Sequence, residues 1–238
     1  MAGFQGFSED AFQFFRGLRK NNTRAWFQPR KEIFDLKVRA VMEDLAGHIN
    51  QELGKFAPQH IAEPKKAVYR LYRDTRFSND KTPYKTHIAA NFPLQGMEKH
   101  AAAGFYFSVS DQEIEIGGGV YMPDKDGLLA IRTHIAESAA RFRKIVTEKK
   151  VVSALSPLQG EALTRVPKGF DAAHEAADFV RMKQWMFFKT LDGAEWMRSP
   201  GLLKEVAGRF KLVAPLIDFL NEPLVKAAKK ASAAEMLF

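Results

Sequence analysis

GFYFSVSDQEIEIGG, residues 104–118, alternates in character on both sides of the dipeptide Asp111-Gln112. The runs Gly104 to Ser110 and Glu113 to Gly118 read as two strands joined by a loop short enough for a hairpin, although the loop lacks the usual glycine. In the second run Ile114 and Ile116 point one way while Glu113 and Glu115 point the other, as in a sheet with one wet face. Two further strand-like runs lie upstream, Ala67 to Arg73 and His87 to Phe92. Four consecutive strand-like runs, the last two joined by a short loop, predict an antiparallel meander.

Helical periodicity flanks this β-region on both sides. Ser8 is suited to cap a first helix reaching about Lys20, in which Phe12, Phe15 and Leu18 recur at helical spacing. A long helix follows from Pro29 to about Leu53, with an expected apolar stripe of Ile33, Leu36, Val38, Val41, Leu45 and Ile49. Beyond the strands, Asp124 or Asp126 caps a helix to about Val146 that buries Leu128, Ile131, Ile135, Ala139, Phe142 and Val146. Trp185-Met186-Phe187-Phe188 is fully apolar and fits either a last strand or a buried helix. Asp192 to Phe219 reads as helical, broken at Pro200 and Pro215. The expected fold is therefore α+β: a mostly antiparallel sheet covered by N- and C-terminal helices. A single domain is expected over residues 1–222, with 223–238 an Ala/Lys-rich tail or helix.

Composition narrows the function classes. The chain has 238 residues and no cysteine, which excludes a disulfide framework and a thiolate metal site. Its 20 phenylalanines predict an aromatic core. The N-terminus shows no secretory signal and no run reaches the length of a membrane span, so a cytoplasmic protein without membrane contact is expected. The net charge of +8 makes a polyanion partner a candidate, against the plainer reading that surplus lysine aids solubility.

Positive charge is densest in Tyr69 to Lys85, YRLYRDTRFSNDKTPYK. Arg70, Arg73, Arg76, Lys81 and Lys85 alternate there with Tyr69, Tyr72, Phe77 and Tyr84, beside the acids Asp74 and Asp80. The planar arginine fork grips carboxylate or phosphate through two parallel bonds, so this spacing suits a clamp for a multiply charged anion. The competing reading is that Asp74 and Asp80 neutralise the arginines in a structural network. Gly117, Gly118 and Gly119 ahead of Tyr121 allow close backbone approach and an anion nest, yet a strand bulge or a side chain crossing over them explains them equally. Arg132 lies at the edge of a buried helical stripe, where pairing with Glu113 or Glu115 competes with a place among the arginines. Searches for a nucleophile motif, metal-ligand spacing or a phosphate-loop fingerprint find nothing, so no cofactor or metal is expected and catalysis stays open.

These residues carry a resemblance. Asn21-Asn22-x-Arg24-x-Trp26-Phe27, then Arg73-Asp74-Thr75-Arg76-Phe77-Ser78-x-Asp80-Lys81-x-Pro83-Tyr84-Lys85, then Gly117-Gly118-Gly119-x-Tyr121-x-Pro123 and Ile131-Arg132 resemble the bacterial and fungal domain of unknown function 2461 family. Val166-Pro167-Lys168-Gly169-Phe170-Asp171 and His174 fit its pattern too, and the likeness covers about residues 4 to 222. The resemblance implies that these polar positions belong together. It implies no reaction.

Three functions compete on this reading. The first is a pocket for a phosphate- or carboxylate-bearing small molecule, lined by Arg70, Arg73, Asp74, Arg76, Lys81 and Lys85 and closed by Gly117, Gly118, Gly119, Tyr121, Arg132 and Lys168. The second is nucleic-acid binding by the same stretch with Lys226, Lys229 and Lys230. The third is an ion-pair network with no ligand, in which Arg73→Ala or Asp74→Ala chiefly lowers stability. Oligomeric state is open on all three.

Overall fold

A computed structural model of the chain describes residues 3–97 and 100–235, with side chains described as far as residue 227 apart from that gap. Its helices are α1 (Glu9–Lys20), α2 (Arg24–Phe27), α3 (Lys31–Ile33), α4 (Ala40–Leu53), α5 (Pro64–Ala67), α6 (Lys125–Glu137), α7 (Ala139–Val146), α8 (Lys149–Ala154), α9 (Ala177–Val180), α10 (Gly193–Trp196) and α11 (Leu202–Glu235). Its strands are β1 (Ile88–Phe92), β2 (Gly104–Val109), β3 (Glu113–Val120) and β4 (Trp185–Asp192), in the order β1-β2-β3-β4. This is an α+β fold on an antiparallel meander.

The hairpin works without glycine because Ser110 replaces it. The Ser110 N–H donates to the Glu113 carbonyl at 3.0 Å, and the Ser110 hydroxyl accepts from the N–H groups of Gln112 and Glu113. That register sets Ser108 opposite Glu115. The Trp185 run is a strand, β4. Ala67 to Arg73 is not: it forms the end of α5 and an irregular arm, joined to its neighbours only by the isolated bridges Val68–Ala90 and Tyr72–Tyr84. The turn residues 74–82 and Pro83, which has no N–H to donate, keep the arm from extending into a ladder.

The chain forms two compact units, each assembled from three segments. The first comprises Met1–Phe92, Tyr106–Ile116 and Thr190–Gly208. Ser8 caps α1 by accepting from the Ala11 N–H, and Phe12, Phe14, Phe15 and Leu18 bury one face. Phe14 meets Phe27 edge-on at 6.1 Å, Phe27 stacks on Tyr84 at 4.3 Å, and Phe92 lies over Phe107 at 6.4 Å. Between α3 and α4 the helical rod passes through a π-helical segment, Phe34–Arg39. Phe34, Val38, Met42, Leu45, Ile49 and Leu53 face the core, whereas Ile33 and Leu36 of the expected stripe are 39% and 57% exposed. The wider π turn sets where the buried face begins, and no apolar count anticipates that shift.

The second unit comprises Pro93–Phe105, Gly117–Lys189 and Arg209–Phe238. Asp124 caps α6 through the Gly127 N–H at 2.7 Å. Ile131, Ile135 and Phe142 are buried, with Phe142 5.0 Å from Phe179 and 5.2 Å from Phe219. Phe210 packs on Phe105 at 4.9 Å, and the Asn221 amide exchanges two bonds with the Ala103 backbone at 2.9 and 3.0 Å. Pro215 does not break α11. It sits inside the helix among the buried Val213, Leu216, Ile217 and Phe219, whose packing outweighs the missing backbone bond.

Candidate anion site

The arm of residues 68–87 is tied to β1 at its start and closed on itself across its two limbs. The Tyr69 N–H donates to the Ala89 carbonyl at 2.8 Å, and the Lys85 N–H donates to the Leu71 carbonyl at 2.8 Å. Asn22 acts as a third clamp, because its amide donates to the Tyr84 carbonyl at 2.9 Å and accepts from the Tyr84 N–H at 3.1 Å. At the tip, Asp74 accepts from the Arg76 N–H and Asp80 from the Thr82 N–H, two Asx turns that set the course of residues 74–82.

Each charge on the arm has a definite place. Arg76 makes a forked pair with Asp74, with bonds of 3.0 and 2.8 Å, and its guanidinium lies 5.6 Å from the ring of Phe77, which is 93% exposed. Arg73 donates to Asp80 and to the Thr82 hydroxyl. These pairs hold the Asp74 and Asp80 carboxyls down at about 2. Lys81 reaches the Thr75 carbonyl at 2.9 Å, and Arg70 is exposed.

Beneath the arm lies a cavity of about 390 Å³, lined by Arg19, Asn22, Arg73, Asp80, Thr82, Tyr84, Lys85, Thr86 and His87. That volume suits a small ligand. Of the arm's expected site residues, Arg73 and Lys85 line it, while Arg70, Asp74, Arg76 and Lys81 stand on the exposed side of the arm and its turn. Arg19 was not foreseen. It comes from the last turn of α1 and is fixed by an ion pair with the buried Asp111 of the hairpin loop, a partnership across 92 positions that no local pattern reveals. Lys85 is half-buried, with its ammonium 5.1 Å from the ring of Tyr69, and forms no ion pair among the described residues. Burial, aided by Arg70, pushes its pKa down; burial, aided by Lys85, does the same to His87.

The sheet face that carries Glu113 and Glu115 is less wet than its alternation suggests. Tyr106 and Glu115 are half-buried and Ser108 is buried, with the Ser108 hydroxyl 3.5 Å from the Glu115 carboxylate. Burial raises the pKa of Glu115 and of Tyr106, and raises Tyr69 far above the ordinary tyrosine range. The signal was present in the strand: Tyr106 and Ser108 share a face with Glu115, and hydroxyls opposite an acid mark a covered polar surface.

The remaining expected site residues belong to the second unit. An added Cβ on Gly117 would lie 1.9 Å from the Phe187 carbonyl oxygen and 2.7 Å from the Phe188 ring, and one on Gly119, at φ +143°, 2.0 Å from the Trp185 carbonyl oxygen. The glycines thus permit β3 and β4 to approach, with Phe188 crossing over the first of them. Arg132 is buried and donates to the Met182 carbonyl at 3.2 and 2.9 Å, which replaces the expected acid partner. Tyr121 and Lys168 are exposed.

Both central motifs therefore have structural work: Asn22 clamps Tyr84, and Arg73 to Lys85 form the arm. A family model matches residues 10–219, a range that includes both. The chain belongs to the family described as "Conserved hypothetical protein (DUF2461)". Neither a curated protein nor a solved structure matches it. The family match spans both units, so the arm, the glycine run and Arg132 all fall within family territory. Among the described residues no group of three His, Asp or Glu side chains could hold a metal, and no helix is long and apolar enough to cross a membrane.

Proposed function

We propose that the protein binds a small molecule bearing a phosphate or carboxylate group in the cavity beneath the 68–87 arm. One observation carries this reading: the cavity holds Arg19, Arg73 and Lys85, and Lys85 has no acidic partner among the described residues. Arg19 is answered by Asp111 and Arg73 by Asp80, which leaves the lysine charge for an incoming anion. Asn22, Thr82 and Thr86 supply neutral hydrogen-bonding groups on the same wall. A bound anion offsets the cost of keeping a half-buried ammonium without a counter-charge. Thermal unfolding with added phosphate, sulfate or citrate tests the idea. A ligand at a hundred times its Kd stabilises by about 2.7 kcal/mol, so a clear rise in melting temperature is expected. No rise with any of the three anions counts against the proposal.

Nucleic-acid binding is a second reading, supported by the nearly full exposure of Phe77 beside Arg76. An exposed ring beside a guanidinium suits base stacking with a phosphate contact. Retention of single-stranded RNA that falls steeply with salt and drops on Phe77→Ala is the expected result; no retention at low salt dismisses it. The lack of cysteine supports a cytoplasmic location for either activity.

A further inference from the structure

We propose that Lys85 is a nucleophile that condenses with the carbonyl carbon of an anionic aldehyde or keto acid held in the cavity, an inference that rests on the anion-binding reading. Four features of the site converge on this lysine. Its backbone is fixed, since its own N–H is bonded to Leu71 and the preceding residue is clamped by Asn22. Its ammonium lies against the Tyr69 ring and not against a carboxylate. The one acid lining the cavity, Asp80, is engaged by Arg73 and the Thr82 N–H. The neighbouring charges are cationic: Arg70 acts on Lys85, and Arg19 and Arg73 share its cavity.

A lysine that is desolvated beside other cations loses its proton more readily and becomes nucleophilic. Burial and Arg70 both move Lys85 in that direction. Arg19 and Arg73, which line the same cavity, hold the anionic end of a substrate and turn its carbonyl toward Nζ. His87 lines the same cavity and is kept neutral by burial, so it is available to relay protons. In the step itself, neutral Nζ attacks the carbonyl carbon. A C–N bond forms as the π pair moves to oxygen. The nitrogen sheds two protons, the carbonyl oxygen takes them up and leaves as water, and a C=N bond remains. One water is released and nothing is oxidised or reduced.

Pyridoxal 5′-phosphate, an anionic aldehyde, is the probe. The full chain is incubated with it, imine absorbance is followed, borohydride fixes the adduct, and peptide mass spectrometry locates it. Burial and Arg70 both favour the free amine of Lys85, which is therefore expected to label faster than the surface lysines, with inorganic phosphate as a competitor. Lys85→Arg cannot form the imine and is expected to abolish selective labelling, while phosphate binding is read on the wild type. Labelling spread evenly over the lysines, or unchanged in Lys85→Arg, overturns the inference. If phosphate stabilises the protein and Lys85 is not labelled, the nucleophile is refuted and the anion site stands. If phosphate has no effect either, both fall.

Discussion

Glu115 illustrates what a single residue does in this sheet. Its carboxyl is half-buried, faces Ser108 and has no ion pair among the described residues, so burial, with Glu113 adding to it, raises its pKa above the ordinary 4.5. A raised pKa means the folded state holds the proton more tightly than the unfolded chain. The stabilisation from that proton is complete below pH 4.5 and is lost as pH rises through the folded value. Glu115→Gln removes the penalty of a desolvated charge and is expected to stabilise the protein at pH 8, with the gain vanishing near pH 4. A gain of about 1 kcal/mol corresponds to about 2–4 °C in melting temperature for a chain of this size. A variant that melts lower at pH 8 would show the carboxylate to be a needed partner. The exposed pairs Arg76–Asp74 and Arg73–Asp80 differ in kind, because solvent screens them and they shape the arm's turn more than they stabilise the fold.

The decisive element is the arm, and its anchoring is side chain to backbone. Asn22 supplies to Tyr84 the two bonds that a neighbouring strand would otherwise give. Asn22→Ala leaves both Tyr84 backbone groups without this partner and is expected to cost about 1–3 kcal/mol, read by chemical denaturation. It should also weaken anion binding, since the arm carries Arg73 and Lys85. Full stability with unaltered binding would mean that the clamp is dispensable. The sequence disclosed the arm's importance but not its form. Its aromatic and β-branched content reads as a strand from Ala67, yet pairing is non-local, and the turn at 74–82 followed by Pro83 leaves only two bridges. Elements fixed by nearby residues were legible: Ser8 and Asp124 cap the helices they precede, and β2 and β3 show their alternation.

For the whole molecule, half of the candidate site was legible. Arg73 and Lys85 were readable because charge, aromatics and turn residues crowd one segment. Arg19 and His87 were not, because the first reaches the cavity through a partner on the hairpin loop and the second is a lone histidine with no spacing to mark it. The glycine run was legible as a place of close approach, but only coordinates show that β4 makes that approach. Pro215 and the π segment were hidden for the opposite reason, since tertiary packing overrides what each residue prefers alone. A net charge of +8 attracts many anions, so specific capture must be separated from the general field. Calorimetric titration of inorganic phosphate into the wild type and Lys85→Met, in buffered salt near physiological strength, makes that separation. A saturable 1:1 isotherm in the wild type that is lost in Lys85→Met is the expected result. Identical isotherms, or no heat in either, would contradict an anion site beneath the arm.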